Sequence, residues 1–172
     1  LQEQLYRTQL LLDSTQEGIY GTDHNGCCTL ANKACAKMLG FDTPEQLLGQ
    51  QMHNLMHHTR SDGSPYPAEE CSAHKMSENG VVGVIENEVF WRRDGTSFPV
   101  SYSVLPMRDG AHAIGMVCSF EDITEKLQLV EQLRQDQNLE EVGQLARKEE
   151  HTSELQSRIP ISYCVLCLKT QN

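Results

Sequence analysis

The sequence predicts an α+β fold: a five-stranded antiparallel sheet with short helices on one face, flanked by N- and C-terminal helices. Three observations carry this expectation. First, His24-Asn25-Gly26, Arg93-Asp94-Gly95 and Arg108-Asp109-Gly110 each separate strand-like stretches, and Asn-Gly and Asp-Gly pairs readily take the positive φ of a hairpin turn. Second, the stretch between residues 32 and 80 carries helix caps and helix stops instead of strand alternation. Third, long strands joined by tight turns run antiparallel, and helices segregated from the strands pack on one face of the sheet.

The elements follow in order. Residues 1–13 read as a helix with a coiled-coil-like stripe, Leu1, Leu5, Thr8 and Leu12, which equally suits a short amphipathic helix packing on its own domain. Gly18–Asp23 and Cys27–Ala31 form the first hairpin. Asn32 caps a helix that runs through Leu39 and stops at Gly40. Thr43 caps a second short helix with Pro44 in its first turn, ending at Gly49. Met52 to His58 make a further helical turn, 59–67 a loop rich in Gly and Pro, and Ala68 to Glu78 another helix. Three strands follow over about 81–93, 96–107 and 112–121. From Asp122 the pattern turns helical again, with Ile123, Leu127, Val130 and Leu133 on one side.

Composition narrows the function. The chain has 172 residues, 38% of them hydrophobic, enough for one ordinary core with helical extensions. A net charge of -10 argues against nucleic acid as a partner, and Arg92-Arg93 is the only dense basic step. No apolar run reaches the length needed to cross a bilayer, and no secretory signal is present. Seven scattered cysteines, an odd count, fit reduced thiols better than a disulfide framework. These features favour a cytoplasmic domain. The chain begins at Leu1 within an apparent helix, so it is expected to be a fragment whose parent is free to be membrane-anchored elsewhere.

Several local motifs, in order, resemble the PAS family over about residues 12–125. They are Asp13-Ser-Thr-Gln-Glu-Gly-Ile-Tyr20, Asn32-Lys-Ala-Cys-Ala-Lys-Met-Leu-Gly-Phe41, Phe90-Trp91-Arg92-Arg93-Asp94-Gly95-Thr96-Ser97-Phe98-Pro99-Val100, and Asp122-Ile123-Thr124. Ser101 departs from the family, where many relatives carry an acidic residue before the Tyr. The resemblance implies a cup-shaped domain enclosing a small-molecule cavity. It also implies that Asp122, Ile123 and Thr124 hand the sheet over to the outgoing helix, with Trp91 beside them in the signal path. Short polar side chains at such a junction cap the helix and bond back to the sheet, and a static cap accounts for the same residues.

Residues 131–146 resemble the helix that opens the dimerisation and phosphotransfer domain of sensor histidine kinases; Gly143-Gln-Leu-Ala146 is its most specific part. His151 falls at the spacing of that family's phosphoacceptor, but Thr152 and Ser153 do not match the box that surrounds it. Glu149 to Ser157 and Ile161 to Lys169 resemble a translated sequencing-library adapter, with Cys164 and Leu166 as departures. The tail is therefore expected to be foreign to the natural protein, and Cys164-x-x-Cys167 a weak candidate for a redox or zinc pair. The expected organisation is a signalling helix at 1–13, a PAS sensor domain at 14–124, a coiled-coil linker opening the kinase dimerisation helix at 125–146, and the foreign tail at 147–172.

His53, His57, His58, Cys71 and His74 fall close together. Cys71-x-x-His74 fits one helical face, and His57 or His58 approaches it across the loop, a weak candidate set for zinc or iron. The alternative is a polar loop and helix cap over the cavity, and no metal is assigned. By resemblance, His74 is the best available haem ligand. The Asn-Cys-Arg motif of flavin-binding relatives is absent from the sequence, so flavin is not expected and the cofactor is unassigned. Tyr20, Met38, Leu39, Val89, Phe98, Val104 and Met116 are candidates to line the cavity or fill the core.

The expected function is that of a sensing module of a two-component sensor histidine kinase. It binds a small molecule and relays the change through its C-terminal helix. Two copies pair through residues 1–13 and 123–146, and a response regulator is reached only through a kinase domain outside this chain. The chain itself is expected not to be an enzyme, lacking an ATP-binding domain and an intact phosphoacceptor box. A dimerising adaptor without ligand, or an input domain for another output enzyme, are the alternatives.

Overall fold

Turn chemistry and strand alternation build the sheet. The structure is a computed structural model that describes residues 2–79, 82–110 and 112–139. It divides into two units, Leu1–Lys126 and Leu127–Asn172. The expectations for residues 140–172, His151 and Cys164-x-x-Cys167 among them, concern residues outside those described.

Helix α1 (Gln2–Asp13) leads into strands β1 (Gly18–Asp23) and β2 (Cys28–Ala31). Helix α2 (Lys33–Leu39), a single 3-10 turn (Pro44–Gln46), α3 (Met52–Met56), a second 3-10 turn (Ala68–Glu70) and α4 (Ser72–Asn79) follow. Strands β3 (Gly83–Trp91), β4 (Ser97–Asp109) and β5 (His112–Asp122) complete the sheet. A last helix, α5, covers residues 124–139. The strand order is β2-β1-β5-β4-β3, and every neighbouring pair is antiparallel. This is the predicted α+β architecture.

Alternation decides which face is covered. Phe98, Val100, Tyr102 and Val104 of β4 are buried, as are Cys118 and Phe120 of β5, and α2, α3 and α4 contact β1, β3 and β4. The turns work through glycine: Gly26, Gly95 and Gly110 take φ of 79°, 83° and 59°, while Asn25, Asp94 and Asp109 stay at negative φ. A type I turn closed by a left-handed Gly suits the Gly26 and Gly95 loops, whose N–H groups donate to the Asp23 and Arg92 carbonyls, whereas β4 and β5 pair Asp109 with His112 across a two-residue loop.

Two elements differ from the sequence reading. The helix expected over 68–78 is broken at Cys71, whose extended backbone (φ -58°, ψ 125°) ends the 3-10 turn and opens α4. The strand expected over 81–93 carries a bulge between Ile85 and Glu88, where Asn87 has a φ of 71°. Asn tolerates that conformation better than other non-Gly residues, and the extra residue re-aims its neighbours.

Gly115 illustrates close approach. A Cβ there would lie 1.9 Å from the Thr22 carbonyl oxygen across the β1–β5 pair. Gly115→Ala is therefore expected to cost about 2–4 kcal/mol through forced separation of the central strands. The measurement is the urea midpoint, and an unchanged midpoint would show that β1 and β5 have room to part.

Candidate functional site

Short helices bring three side chains together beneath the bulged edge of the sheet. His53 and His57 are four residues apart on α3 and its C-cap, so they share one helical face. Cys71 reaches the same place because the helix break turns it inward. One ligand-capable atom of each residue lies within 4.8 Å of those of the other two. His57 and Cys71 are both 3% exposed.

Hydrogen bonds fix the rings. His53 Nε2 is 2.7 Å from the Tyr66 carbonyl oxygen, which only accepts, so that nitrogen carries the hydrogen. His57 Nε2 faces Glu88 Oε2 at 2.9 Å, and its Nδ1 lies 3.4 Å from Cys71 Sγ. Rings of Tyr66 and Phe90 stand edge-on to His57, each 4.9 Å away between centroids. His53 Nδ1 is buried without a hydrogen-bond partner, and His57 Nε2 meets Glu88 as a close charge contact outside hydrogen-bond geometry.

Glu88 ties the cluster to the sheet. Tyr102 Oη on β4 donates to Oε2 at 2.6 Å, and Ser72 Oγ at the start of α4 donates to Oε1 at 2.8 Å. Tyr66 Oη adds a longer bond of 3.2 Å to Oε1. Burial pushes this carboxyl up, but His57, Tyr102 and Ser72 outweigh it and hold it at about 2. Burial lowers His57, yet Cys71 and Glu88 raise it to about 9. Burial raises the Cys71 thiol, and the two imidazoles bring it down to about 6. Without any further group, the arrangement holds a thiolate beside an imidazolium.

A cavity of about 50 Å³ opens beside these residues, and Tyr20, Met52, Met56 and Met116 help to line it. That volume takes a metal ion or a few water molecules.

The second feature is the exit from β5. Asp122 Oδ1 accepts from the Thr124 backbone N–H at 3.0 Å and from the Thr124 hydroxyl, capping α5. Its Oδ2 accepts from Arg92 Nη2 at 2.7 Å, which ties the cap to the end of β3. Arg92 also lies over the Phe98 ring at 4.2 Å. Ile123 is buried, and its N–H donates to the Pro99 carbonyl.

The structure distributes the sequence candidates as follows. Of His57, His58, Cys71 and His74, it brings His57 and Cys71 together, and His53 is their third partner. His58 instead stacks on Trp91, and exposed His74 borders the cavity. Tyr20 and Met116 line the cavity, while Leu39, Phe98 and Val104 lie in the core. Met38 borders a surface groove near Asp122, and Val89 one outside the Glu88 edge. Trp91 Nε1 donates to the Thr59 carbonyl and pins the 59–65 loop; its neighbour Arg92 makes the contact with Asp122. Sequence reasoning passed over Glu88 and Arg92. The signal for Glu88 was present in Glu86-Asn87-Glu88, where a turn-prone Asn and two acids interrupt a strand.

Comparison with known proteins now defines the class. The PAS fold family model matches residues 6–123, and the chain belongs to that family. Among solved structures it resembles the PAS domain of an HTR-like protein from Haloarcula marismortui, at 18% identity and a TM-score of 0.54, covering 71% of this chain and 93% of that one. It resembles a PAS domain from a two-component sensor histidine kinase at 15% identity and a TM-score of 0.52, covering 69% and 95%. It also resembles an RNA-binding light-oxygen-voltage receptor at 22% identity and a TM-score of 0.60, covering 80% of this chain and 37% of that one. No curated protein matches the sequence.

Proposed function

We propose that this chain is the signal-input module of a two-component sensor histidine kinase. An occupant of the cavity biases the sheet, and the sheet biases the outgoing helix. The observation that carries this reading is the Arg92–Asp122–Thr124 linkage, in which one carboxylate joins the end of β3 to the first turn of α5. A carboxylate shared in this way makes the helix start sensitive to the position of β3. Coupling through such a junction requires a differential free energy of about 1–3 kcal/mol between two arrangements.

Pairing of two copies through the flanking helices belongs to the same proposal. Tyr6, Leu10 and Leu11 of α1 are exposed, as are Leu127, Val130 and Leu133 of α5. Leu127, Val130 and Leu133 recur at helical spacing and suit a seam between two copies. In this reading the chain senses and relays, and phosphoryl transfer belongs to a separate domain of the kinase.

The test joins residues 1–139 to the dimerisation and ATP-binding domains of a histidine kinase and follows autophosphorylation with labelled ATP. Asp122→Ala and Arg92→Ala are each expected to change basal autophosphorylation about fivefold or more, the lower bound of a useful coupling. Output within twofold of the parent for both variants would remove the basis for the relay. The 172-residue chain incubated alone with labelled ATP is expected to take up no label, at His151 or elsewhere.

A further inference from the structure

We propose that His53, His57 and Cys71 bind one thiophilic closed-shell metal ion, Zn²⁺ or Cu⁺, with an open coordination position facing the cavity they line. The donors are of the right kind: two imidazoles and a thiolate suit both ions. Their orientation is right as well. The Tyr66 carbonyl holds the hydrogen of His53 on Nε2, and the Glu88 carboxylate, 2.9 Å from His57 Nε2, favours that ring's hydrogen on the same nitrogen. When each ring is neutral, both Nδ1 lone pairs are free for a ligand. A carbonyl and a carboxylate behind the coordinating rings are the usual outer partners of metal-bound histidine.

Distance and burial agree. The 3.4 Å between His57 Nδ1 and Cys71 Sγ matches the roughly 3.5 Å separating N and S ligands around a tetrahedral zinc. Without a metal, the one proton between Cys71 Sγ and His57 Nδ1 serves only that contact, and His53 Nδ1 is buried without a hydrogen-bond partner. A metal ion resolves this deficit by accepting from all three atoms. Met52, Met56 and Met116 form a soft, largely apolar surround. Binding displaces the proton held between Cys71 and His57 to solvent and requires no redox partner.

The assignment names an occupant for the cavity of the proposed sensor, but its test is independent of the relay. The full chain carries Cys164→Ser and Cys167→Ser, so the tail thiols cannot compete. After removal of metal with a chelator, it is titrated with Co²⁺ as a spectroscopic probe, then with Zn²⁺ and, anaerobically, with Cu⁺. The expected result is one ion per chain and a thiolate-to-cobalt charge-transfer band that Zn²⁺ or Cu⁺ displaces. Cys71→Ser abolishes the band. His53→Gln, which can still donate to the Tyr66 carbonyl, weakens binding at least about 100-fold, and Glu88→Gln weakens it about 10–100-fold. Should Cys71→Ser fail to fold by circular dichroism, His53→Gln decides. Absence of one-to-one binding below about 10 μM, or a band that survives in folded Cys71→Ser or keeps full affinity in His53→Gln, overturns the site. Metal binding with no effect of Asp122→Ala on kinase output would instead count against the relay alone.

Discussion

Replacing Asn32 by Ala is expected to destabilise the domain by about 3–5 kcal/mol, among the largest single losses available in this chain. Asn32 is fully buried and uses both ends of its amide. Its Oδ1 accepts from the N–H groups of Ile19 and Cys35, at 2.9 and 2.8 Å. Its Nδ2 donates to the carbonyls of Leu12 and Glu17, at 2.8 and 2.9 Å. One side chain thus ties the end of α1, the entry to β1 and the first turn of α2. Alanine leaves several of these backbone groups unsatisfied, and each buried orphan costs about 1–3 kcal/mol. Chemical denaturation monitored by far-ultraviolet circular dichroism checks the value. Asn32→Asp keeps the accepted bonds but sets a buried carboxylate oxygen against the Leu12 and Glu17 carbonyls, so a loss at least as large as that of alanine is expected. A loss under 1 kcal/mol for Asn32→Ala would mean that the junction re-forms through water.

Removing Glu88 is expected to have the next largest effect. Glu88→Ala deprives Tyr102 and Ser72 of a shared acceptor and His57 of its facing carboxylate at a partly buried site, for an expected loss of about 2–4 kcal/mol. The effect has a pH signature. The folded-state pKa is lowered from an ordinary 4.5 to about 2, so the stabilisation is present above pH 4.5 and lost as pH falls toward 2. Some solvent contact at the carboxylate reduces the full linkage value to about 2–3 kcal/mol. In protein kept metal-free with a chelator, Glu88→Gln is expected to show a shallower acid limb of stability between pH 4.5 and 2. An acid limb identical to that of the parent would place the carboxylate in bulk-like solvent.

Much of the fold was legible because its signals are local. Gly26, Gly95 and Gly110 mark turns through backbone freedom that no other residue matches, and Asn32 and Gly40 bracket a helix by capping chemistry. Asp-Gly turn signals on either side marked 96–107 as a strand. The Asp122–Thr124 cap was legible for the same reason, since both ends lie within two residues of one another. Arg92 was not, because it approaches Asp122 from thirty positions earlier in the chain.

The candidate metal cluster was only half legible. His57 and Cys71 stood out by residue type, but Cys71-x-x-His74 assumed a continuous helix. The break at Cys71 removes that periodicity and substitutes His53 for His74. Glu88 was hidden by the assumption that β3 runs without interruption. Asn87 at positive φ shifts the register, and that shift accompanies a carboxylate set against His57 and Tyr102.

By itself, then, the sequence determined the class of fold, the order of its elements and the family, through caps, turns and alternation acting over a few residues each. The tertiary structure alone decided which titratable groups meet. Those meetings depend on a helix break and a strand bulge whose cost is offset only by packing and hydrogen bonds from distant segments, and such compensation leaves no periodic trace in the chain.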